Sequence, residues 1–374
     1  MATKKSSLKI PSLNQIRKNY STSLASDIYV PKEKTLWLPS RSIPLNWALG
    51  GGIPYGRIAE IFGAESSGKT LLAMDFGYAA QKCGGIVLIN DAEQAFDPYW
   101  AEQNGLDVSK IEICNEVAVE RVSDWLLDMV LYYRSKLTNN EPILFIQDSV
   151  AALDTVDSLE TKQSDKKAEM GNRAKAIYTM LRIRNKMLAE FGVVSIFINQ
   201  VRSKLGTGLF ENPDTTPGGA AMKYFASQRI GVYAGRQEKI KSAGRDRRIG
   251  VNISVRLIKN KVSPPRPTFK SKIYFDAEYA PYLGIDRYSG LVDILMDEGV
   301  IAKKKGHSIY YNDEKIATGV SDMEEAITED KSLRSKLVKE SGIHTISKLK
   351  SQLKRETINK YILKDIKHER QTEE

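Results

Sequence analysis

The sequence has few of the residues from which disulfide frameworks and zinc sites are built. Among 374 residues it contains two cysteines and three histidines, and neither Cys83 nor Cys114 belongs to a CxxC pair. This usage argues against a disulfide scaffold and against a structural zinc site. We therefore expect both thiols to be small core residues.

Long apolar runs are also lacking. No run approaches the roughly 18 residues that are needed to cross a bilayer. The basic N-terminus, residues 1–7, is not followed by the apolar stretch of a signal peptide. We therefore expect a protein that stays in the cytoplasm.

Charge is plentiful but unevenly placed. The formal net charge is +10, and residues 232–275 hold twelve Lys and Arg against two acids, Glu238 and Asp246. A basic surface of this kind suits a polyanionic partner such as nucleic acid. For charge alone, a solvated charged face is the simpler interpretation.

Apolar segments alternate with amphipathic ones in the first 200 residues. The pattern predicts strands at 57–62, 85–90, 142–146 and 193–199, and helices at 70–81, 120–136 and 168–191. Continuous apolar strands separated by helices are typical of a parallel sheet that is covered on both faces. We therefore predict an α/β fold with a mainly parallel central sheet flanked by helices.

The chain divides into three regions that differ in composition and in hydrophobic periodicity. We predict an N-terminal arm (1–35, with a helical pattern around 13–24), a core domain (36–276), and a small α+β C-terminal domain with a charged helical tail (277–374). Residues 204–219 have no periodicity, and such stretches are usually functional or disordered. Later elements are predicted as strands at 229–234, 250–258 and 272–275, a basic turn at 239–248, a helix at 291–304, and a hairpin from 308–311 and 315–317.

One motif carries specific chemistry. The segment that matches G-x-x-x-x-G-K-[ST] consists of Gly63, Ala64, Glu65, Ser66, Ser67, Gly68, Lys69 and Thr70. It follows a predicted strand and opens a predicted helix, where backbone N–H groups and the helix N-terminus can bind phosphate oxygens. Lys69 would reach the outer phosphates, and the Thr70 hydroxyl would ligate Mg²⁺. The motif therefore predicts that ATP and Mg²⁺ bind here.

Polar side chains follow three of the predicted strands. Asp148 would supply a second Mg²⁺ contact, directly or through water; alternatively, Asp148 and Ser149 could both cap the next helix. Glu93 would orient and deprotonate the attacking water, and Gln200 would hydrogen-bond the terminal phosphate. For Glu93 and Gln200 the alternative is a cap or an ordinary polar loop residue.

These residues, in this order, resemble the bacterial RecA recombinases. The resemblance runs from about residue 40 to about residue 319, through the phosphate loop and the segments INDAEQAFDP (89–98), IQDSVAAL (146–153), IFINQVRSKLG (196–206), PGGAAMKYFASQR (217–229) and LIKNKVSPP (257–265). It implies a RecA-type core and a DNA-dependent ATPase of recombination, repair and the SOS response. Such a protein forms a filament on single-stranded DNA, takes up duplex and exchanges strands.

The resemblance also implies roles for single residues. Glu93 would be the general base, and Gln200 the nucleotide sensor at the root of a DNA-binding loop. Trp100 would lie on the adenine. Lys259 and Lys261 would reach the terminal phosphate of a neighbouring subunit's ATP.

DNA contacts and subunit contacts are implied in the same way. The DNA loops would be 158–172 and 201–216, with Met170 and Phe210 as wedges between nucleotides. The implied DNA-binding residues are Lys166, Lys167, Met170, Gly171, Asn172, Arg173, Arg202, Lys204, Phe210, Gly218 and Gly219. Lys223, Tyr224 and Arg229 match subunit-interface and nucleotide-coupling positions of the family.

The sequence departs from the family in several places. Position 94 is Gln where His is usual, position 100 is Trp in place of Tyr, and the acidic C-terminal tail is missing. This divergence suggests a phage-encoded or specialised recombinase, which would act in the host cytoplasm. Two alternatives stay open: a DNA motor or branch-migration ATPase on the same fold, and a nucleotide-switched regulatory protein. Single-strand-binding and loader proteins would be further partners.

Overall fold

The computed structural model describes residues 12–15, 35–137, 140–161, 171–203, 214–215, 220–242, 244–264, 266, 268–280 and 282–354. The chain divides into two compact units, Met1–Thr35 and Leu36–Glu374. In the first unit, Ser12 and Gln15 bond reciprocally, since the Gln15 backbone N–H donates to Ser12 Oγ (3.3 Å) and the Ser12 N–H donates to Gln15 Oε1 (2.9 Å). This capping box fixes the start of a helical turn at 13–15. The rest of the predicted 13–24 helix lies outside the described residues.

The second unit is built on a large sheet. A two-stranded pair, β1 (Trp37–Leu38) and β2 (Ile53–Pro54), precedes it, with helix α1 (Ile43–Leu49) between them. The sheet strands are β3 (Ile58–Gly63), β4 (Ile86–Asp91), β5 (Ile111–Cys114), β6 (Ile143–Asp148), β7 (Val194–Gln200), β10 (Gln228–Ser242), β11 (Arg245–Asn260), β12 (Phe269–Tyr274) and β13 (Gly284–Ile285). Short strands β8 (Arg202–Ser203) and β9 (Asp214–Thr215) pair separately.

The strand order in the described part of the sheet is β13-β12-β11-β10-β3-β7-β6-β4-β5. All pairs from β10 to β5 are parallel, and β10 to β13 are antiparallel. The carboxyl ends of β3, β4, β6 and β7 therefore meet at one edge, where ligands bind in such sheets. The prediction of a mainly parallel α/β sheet is confirmed.

Helices cover both faces of the sheet. The helices of this part of the chain are α2 (Lys69–Lys82), α3 (Pro98–Gln103), α4 (Val119–Lys136), α5 (Val156–Glu160), α6 (Asn172–Glu190) and α7 (Ala221–Phe225). Leu72 and Phe76 of α2 belong to the core on one face, whereas Leu126 of α4 and Leu181 of α6 belong to the core on the other. Burial on both faces explains why the parallel strands are continuously apolar.

The C-terminal residues form a smaller layer. It contains α8 (Leu291–Asp297), the antiparallel strands β14 (Ala302–Lys303), β15 (Ser308–Tyr311) and β16 (Glu314–Thr318), and the helices α9 (Val320–Glu329), α10 (Lys331–Glu340) and α11 (Ile346–Leu353). These elements have their own apolar cluster, although Leu349 and Leu353 of α11 join the main core. The small antiparallel sheet agrees with the predicted α+β region, and the domain boundaries stay predictions.

Several local predictions need correction. Residues 239–248 are not a turn, because β10 runs to Ser242 and β11 starts at Arg245. This end of the hairpin is largely exposed, so its strands have no apolar face to mark them in the sequence. The predicted helix 291–304 ends at Asp297, since Gly299 adopts a left-handed φ of +71°. Cys83 is buried as expected, whereas Cys114 is only half-buried.

No helix in the described ranges is both long and apolar enough to span a membrane.

The elements α3, β5 and α7 were not predicted. All three are short, at four to six residues. The strand β5 is also half-exposed at the sheet edge, so its apolar signal is weak.

A buried ion pair joins the segment before α1 to helix α2. Arg41 donates through Nε (2.5 Å) and through its backbone N–H (2.7 Å) to Asp75, whose side chain is fully buried. We expect Asp75→Ala to lower the free energy of unfolding by about 3–5 kcal/mol, because it leaves the Arg41 charge buried and unpaired. Denaturant unfolding measures this.

The matched control is Glu190→Ala, which breaks an exposed pair with Lys186 on α6. Its expected cost is about 0.5 kcal/mol or less. Equal effects of the two substitutions would contradict the assignment of Asp75 as a buried charge partner.

Candidate functional site

The loop between β3 and α2 has the shape that phosphate binding needs. Gly68 caps α2 with a left-handed φ of +91°, a conformation that glycine adopts without strain. A Cβ on Gly63 would lie 2.2 Å from the carbonyl oxygen of Val232. Gly68 is therefore required by the backbone conformation of the loop, and Gly63 by its close approach to the neighbouring strand.

Two side chains of this loop are poised for an anion. The buried Lys69 ammonium donates to the carbonyl oxygen of Ala64 (2.6 Å), and burial lowers its pKa against the raising effect of Asp148 and Glu93. The hydroxyl of Ser67 is buried and has no hydrogen-bond partner among the described residues. A phosphate group could accept a hydrogen bond from the Ser67 hydroxyl and replace the Ala64 carbonyl as the acceptor of the Lys69 ammonium. The loop therefore fits the predicted ligand. Ala64, Glu65 and Ser66 are exposed at its rim.

Thr70 and Asp148 face one another across the site. The Thr70 hydroxyl donates to Asp148 Oδ2 at 2.7 Å, so two oxygen ligands from α2 and β6 converge. Burial raises the pKa of Asp148 to about 6, and the bond from Thr70 works against this rise. Asp148 does not cap the following short 3₁₀ helix at Val150–Ala152, whose capping residue is Ser149. A hydroxyl and a carboxylate are oxygen donors that suit Mg²⁺.

Glu93 is bonded to the ends of two strands. The buried Ser149 hydroxyl and the Gln200 amide (Nε2, 3.2 Å) both donate to Glu93 Oε1. The predicted base and the predicted sensor are thus in direct contact. Ser149 was missed as a site residue, and its only signal in the sequence is its position directly after Asp148.

A cavity of about 190 Å³ lies beside these groups. It is lined by Thr70, Met74, Ile89, Asp91, Glu93, Ala95, Phe96, Ile146 and Asp148. Trp100 is not among the lining residues, but it lies on α3, which follows this segment, and is half-buried. Its neighbour Tyr99 is 67% exposed and offers a second aromatic ring that was not predicted.

The predicted interface residues Lys223 and Tyr224 are exposed on α7. Arg229 of β10 is instead only 9% exposed and donates to Glu60, so it does not face outward as predicted. Lys259 Nζ donates to the carbonyl oxygens of Lys223 and Tyr224. Burial, together with Lys261 and Arg229, lowers the pKa of Lys259. Within one subunit, Lys259 is thus bonded to α7 and not to the Glu93 cluster, which consists of Glu93, Ser149 and Gln200.

Most of the predicted DNA-binding residues lie outside the described residues. This applies to Lys166, Lys167, Met170, Lys204, Phe210, Gly218, Gly219 and the side chain of Arg202. Gly171 caps α6 with a φ of +119°, Asn172 begins that helix, and Arg173 Nη1 donates to the carbonyl of Ala151 (3.2 Å). The described residues of the first predicted DNA loop, 158–161 and 171–172, come after β6. Those of the second loop, 201–203 and 214–215, come after β7.

The raised pKa of Asp148 has a consequence for stability. Since its folded pKa of about 6 exceeds its ordinary 3.8, the folded state binds more protons than the unfolded state between these values, and the ionised group destabilises the fold at higher pH. In EDTA without nucleotide, we expect Asp148→Asn to raise the free energy of unfolding by about 2–3 kcal/mol at pH 7.5. The gain should shrink steadily as the pH falls from 6 towards 4. Denaturant unfolding across this range measures it.

Asp128→Asn, on the exposed face of α4, is the control and should change stability little at any pH. A gain for Asp148→Asn that does not vary with pH would mean that the charge of Asp148 is not its cause.

Comparison with known proteins gives consistent matches. A family model described as the RecA N-terminal domain matches residues 9–280. The chain is 38% identical over 301 residues to the RecA protein of Tropheryma whipplei (80% of this chain, 64% of that protein). It is 35% identical to the RecA proteins of Rubrobacter xylanophilus over 317 residues (82% and 84%) and of Thermus thermophilus over 320 residues (84% and 88%). The chain thus spans just under two thirds of the first relative and more than four fifths of the other two.

Proposed function

This chain belongs to the RecA family of DNA-dependent ATPases, and we propose that it is an ATP-dependent recombinase. It binds ATP and Mg²⁺, assembles into a filament on single-stranded DNA, and catalyses homologous pairing and strand exchange with duplex DNA. Its ATP hydrolysis is stimulated by DNA. The cytoplasmic location, in the host if the chain is phage-encoded, stays an expectation from the sequence.

The observation that carries this proposal is the contact between Glu93 and Gln200. Gln200 ends β7, where the second predicted DNA loop begins, and its amide is bonded to Glu93 Oε1. Any displacement of Gln200 by DNA therefore changes the surroundings of Glu93 directly. A binding site that repositions a catalytic carboxylate is a physical route from DNA to hydrolysis.

The chain's own residues divide the chemistry among them. Thr70 would hold the metal ion together with Asp148, which would bind it directly or through water. The metal ion would neutralise part of the phosphate charge. Lys69 would exchange its bond to Ala64 for a bond to the outer phosphates. Glu93 would accept a proton from the attacking water at Oε1 or Oε2 while Ser149 holds the carboxylate in place. Trp100 or the neighbouring Tyr99 would lie against the base.

The DNA contacts and the filament contacts are assigned to separate parts of the chain. Residues 158–172 and 201–216 would bind the single strand, and single-strand-binding and loader proteins would be accessory partners. Lys223 and Tyr224 are exposed on α7, and with Lys259 and Lys261 they would form the contact with the neighbouring subunit. Heterologous contacts of this kind generate helical filaments.

The test is ATP hydrolysis measured without DNA, with single-stranded DNA and with duplex DNA. We expect strong stimulation by single strands, which Lys69→Ala abolishes because the variant no longer binds the outer phosphates. Strand exchange is then measured with a homologous and a heterologous duplex. Hydrolysis that ignores DNA would indicate a nucleotide switch, and stimulation without strand exchange would indicate a motor.

A further inference from the structure

Two buried amide side chains lie on the face of the sheet that helices α4 and α6 cover. Asn90 of β4 and Gln147 of β6 are opposite one another in the parallel pairing, and both are 0% exposed. Because side chains alternate along a strand, these amides point away from the next residues, Asp91 and Asp148, which line the cavity. They enter instead the apolar layer between the sheet and these two helices.

The two amides bond each other and two segments that follow strands. Asn90 Nδ2 donates to Gln147 Oε1 at 3.0 Å and to the carbonyl oxygen of Glu116, after β5, at 2.9 Å. Gln147 Nε2 donates to the carbonyl oxygen of Ser149 at 3.4 Å. The hydroxyl of the same Ser149 donates to Glu93 Oε1. A chain of hydrogen bonds therefore runs from the segment after β5 to the carboxylate of Glu93.

The stability of the sheet does not account for this amide pair. Burying an amide costs free energy unless it is bonded, and replacing both partners of such a bond by apolar groups of the same shape can be nearly neutral. Asn90 Oδ1 is moreover buried without a partner among the described residues. Apolar side chains at both positions would thus hold the strands together about as well. What the amides add is direction, because a hydrogen bond fixes the carbonyl of Ser149 in a way that apolar contacts do not.

We propose that Asn90 and Gln147 are positioning residues for ATP hydrolysis. They hold the backbone at Ser149 and, through the hydroxyl of that residue, the carboxylate of Glu93. A small displacement of a catalytic group lowers the rate of the chemical step even when the substrate is bound as before. This inference rests on the proposed function, because it takes Glu93 to be the general base.

The test replaces both amides together, so that neither is left half bonded. Asn90→Leu/Gln147→Met keeps the shapes of the side chains and removes their hydrogen bonds. We expect kcat for ATP hydrolysis to fall by about tenfold, while KM and the Kd for ATP stay within about twofold. The effect is moderate because the bond to Ser149, at 3.4 Å, is a long one.

A milder variant keeps the test decisive if the double substitution does not fold. Gln147→Met alone breaks the bond to Ser149 and leaves Asn90 bonded to Glu116. It should lower kcat to a similar extent. Thermal unfolding establishes that each variant is folded.

A second background separates positioning from a general loosening of the fold. Ser149→Ala removes the hydroxyl through which the amides are proposed to act, so it should lower kcat by itself. Adding Asn90→Leu/Gln147→Met to Ser149→Ala should then lower kcat by less than about twofold more. A full further tenfold loss would mean that the amides act by another route, which overturns the proposal.

The matched control is Gln228→Met, which removes a buried amide at the start of β10. There Gln228 Nε2 donates to the carbonyl oxygens of Leu49 and Gly52, both at 3.1 Å. This variant should keep the wild-type kcat and KM. A folded Asn90→Leu/Gln147→Met protein with the wild-type kcat would leave the amide pair a purely structural role.

All rates are measured with and without DNA, which distinguishes the two ways of failing. Hydrolysis that ignores DNA would overturn the recombinase function and leave the positioning role standing, since kcat without DNA still reports it. A Glu93→Gln protein with the wild-type rate would overturn the assignment of the base and the positioning role with it.

Discussion

Glu93→Gln is expected to lower the rate of ATP hydrolysis by a factor of about 10²–10⁴ while nucleotide binding is retained. The substitution keeps the shape of the side chain and an oxygen that can accept from Ser149 and Gln200. What it removes is the ability to take a proton from water. Single-turnover hydrolysis and equilibrium nucleotide binding, measured on the same preparation, separate the two effects.

The control for this variant is Glu102→Gln, the same chemical change at an exposed position of α3. It should hydrolyse ATP at close to the wild-type rate. A Glu93→Gln protein that also hydrolyses ATP within a fewfold of the wild-type rate would show that another group activates the water. Asp91, which lines the same cavity, would then be examined by the same substitution to Asn.

The sheet and its ligand edge could be predicted because a strand that is buried on both faces has a continuous apolar sequence. Strands β3, β4, β6 and β7 are buried on both faces and read as continuous apolar runs, and their ends are marked by Gly63, Asp91, Asp148 and Gln200. The half-exposed edge strand β5 and the solvated part of the β10–β11 hairpin lack such a run. For these elements the backbone ladder, rather than apolar burial, determines the structure.

The site was less predictable than the fold, because its contacts join residues far apart in sequence. Ser149 resembles many other serines that follow a strand, and only the folded chain brings it to Glu93. Glu60 did leave a signal, since it is a lone charge inside the apolar segment IAEIF. Its partner Arg229 lies 169 positions away, and no local pattern connects the two.

The second large effect concerns Lys259, which we propose acts on the ATP of a neighbouring subunit. In the single chain its ammonium is bonded to α7 and not to the Glu93 cluster, so it cannot complete its own site without leaving these carbonyls. Lys259→Ala should therefore lower DNA-stimulated hydrolysis by about 10²–10³, the effect of removing one preorganised donor at a developing charge.

Mixing two inactive variants tests whether Lys259 acts across the interface. A Lys259→Ala subunit retains Glu93, and a Glu93→Gln subunit retains Lys259, so that one kind of interface in a mixed filament has both. In a random equimolar mixture about a quarter of the interfaces are of this kind, because a heterologous contact has two different sides. Hydrolysis should then recover to about a quarter of the wild-type rate.

The matched control for this experiment is a mixture of Lys69→Ala and Glu93→Gln. Both positions lie on the same side of the interface, so no arrangement of subunits restores a complete site. If the first mixture forms filaments and stays as inactive as the control, Lys259 serves its own subunit, and the shared-site explanation for an ATP-dependent filament is wrong.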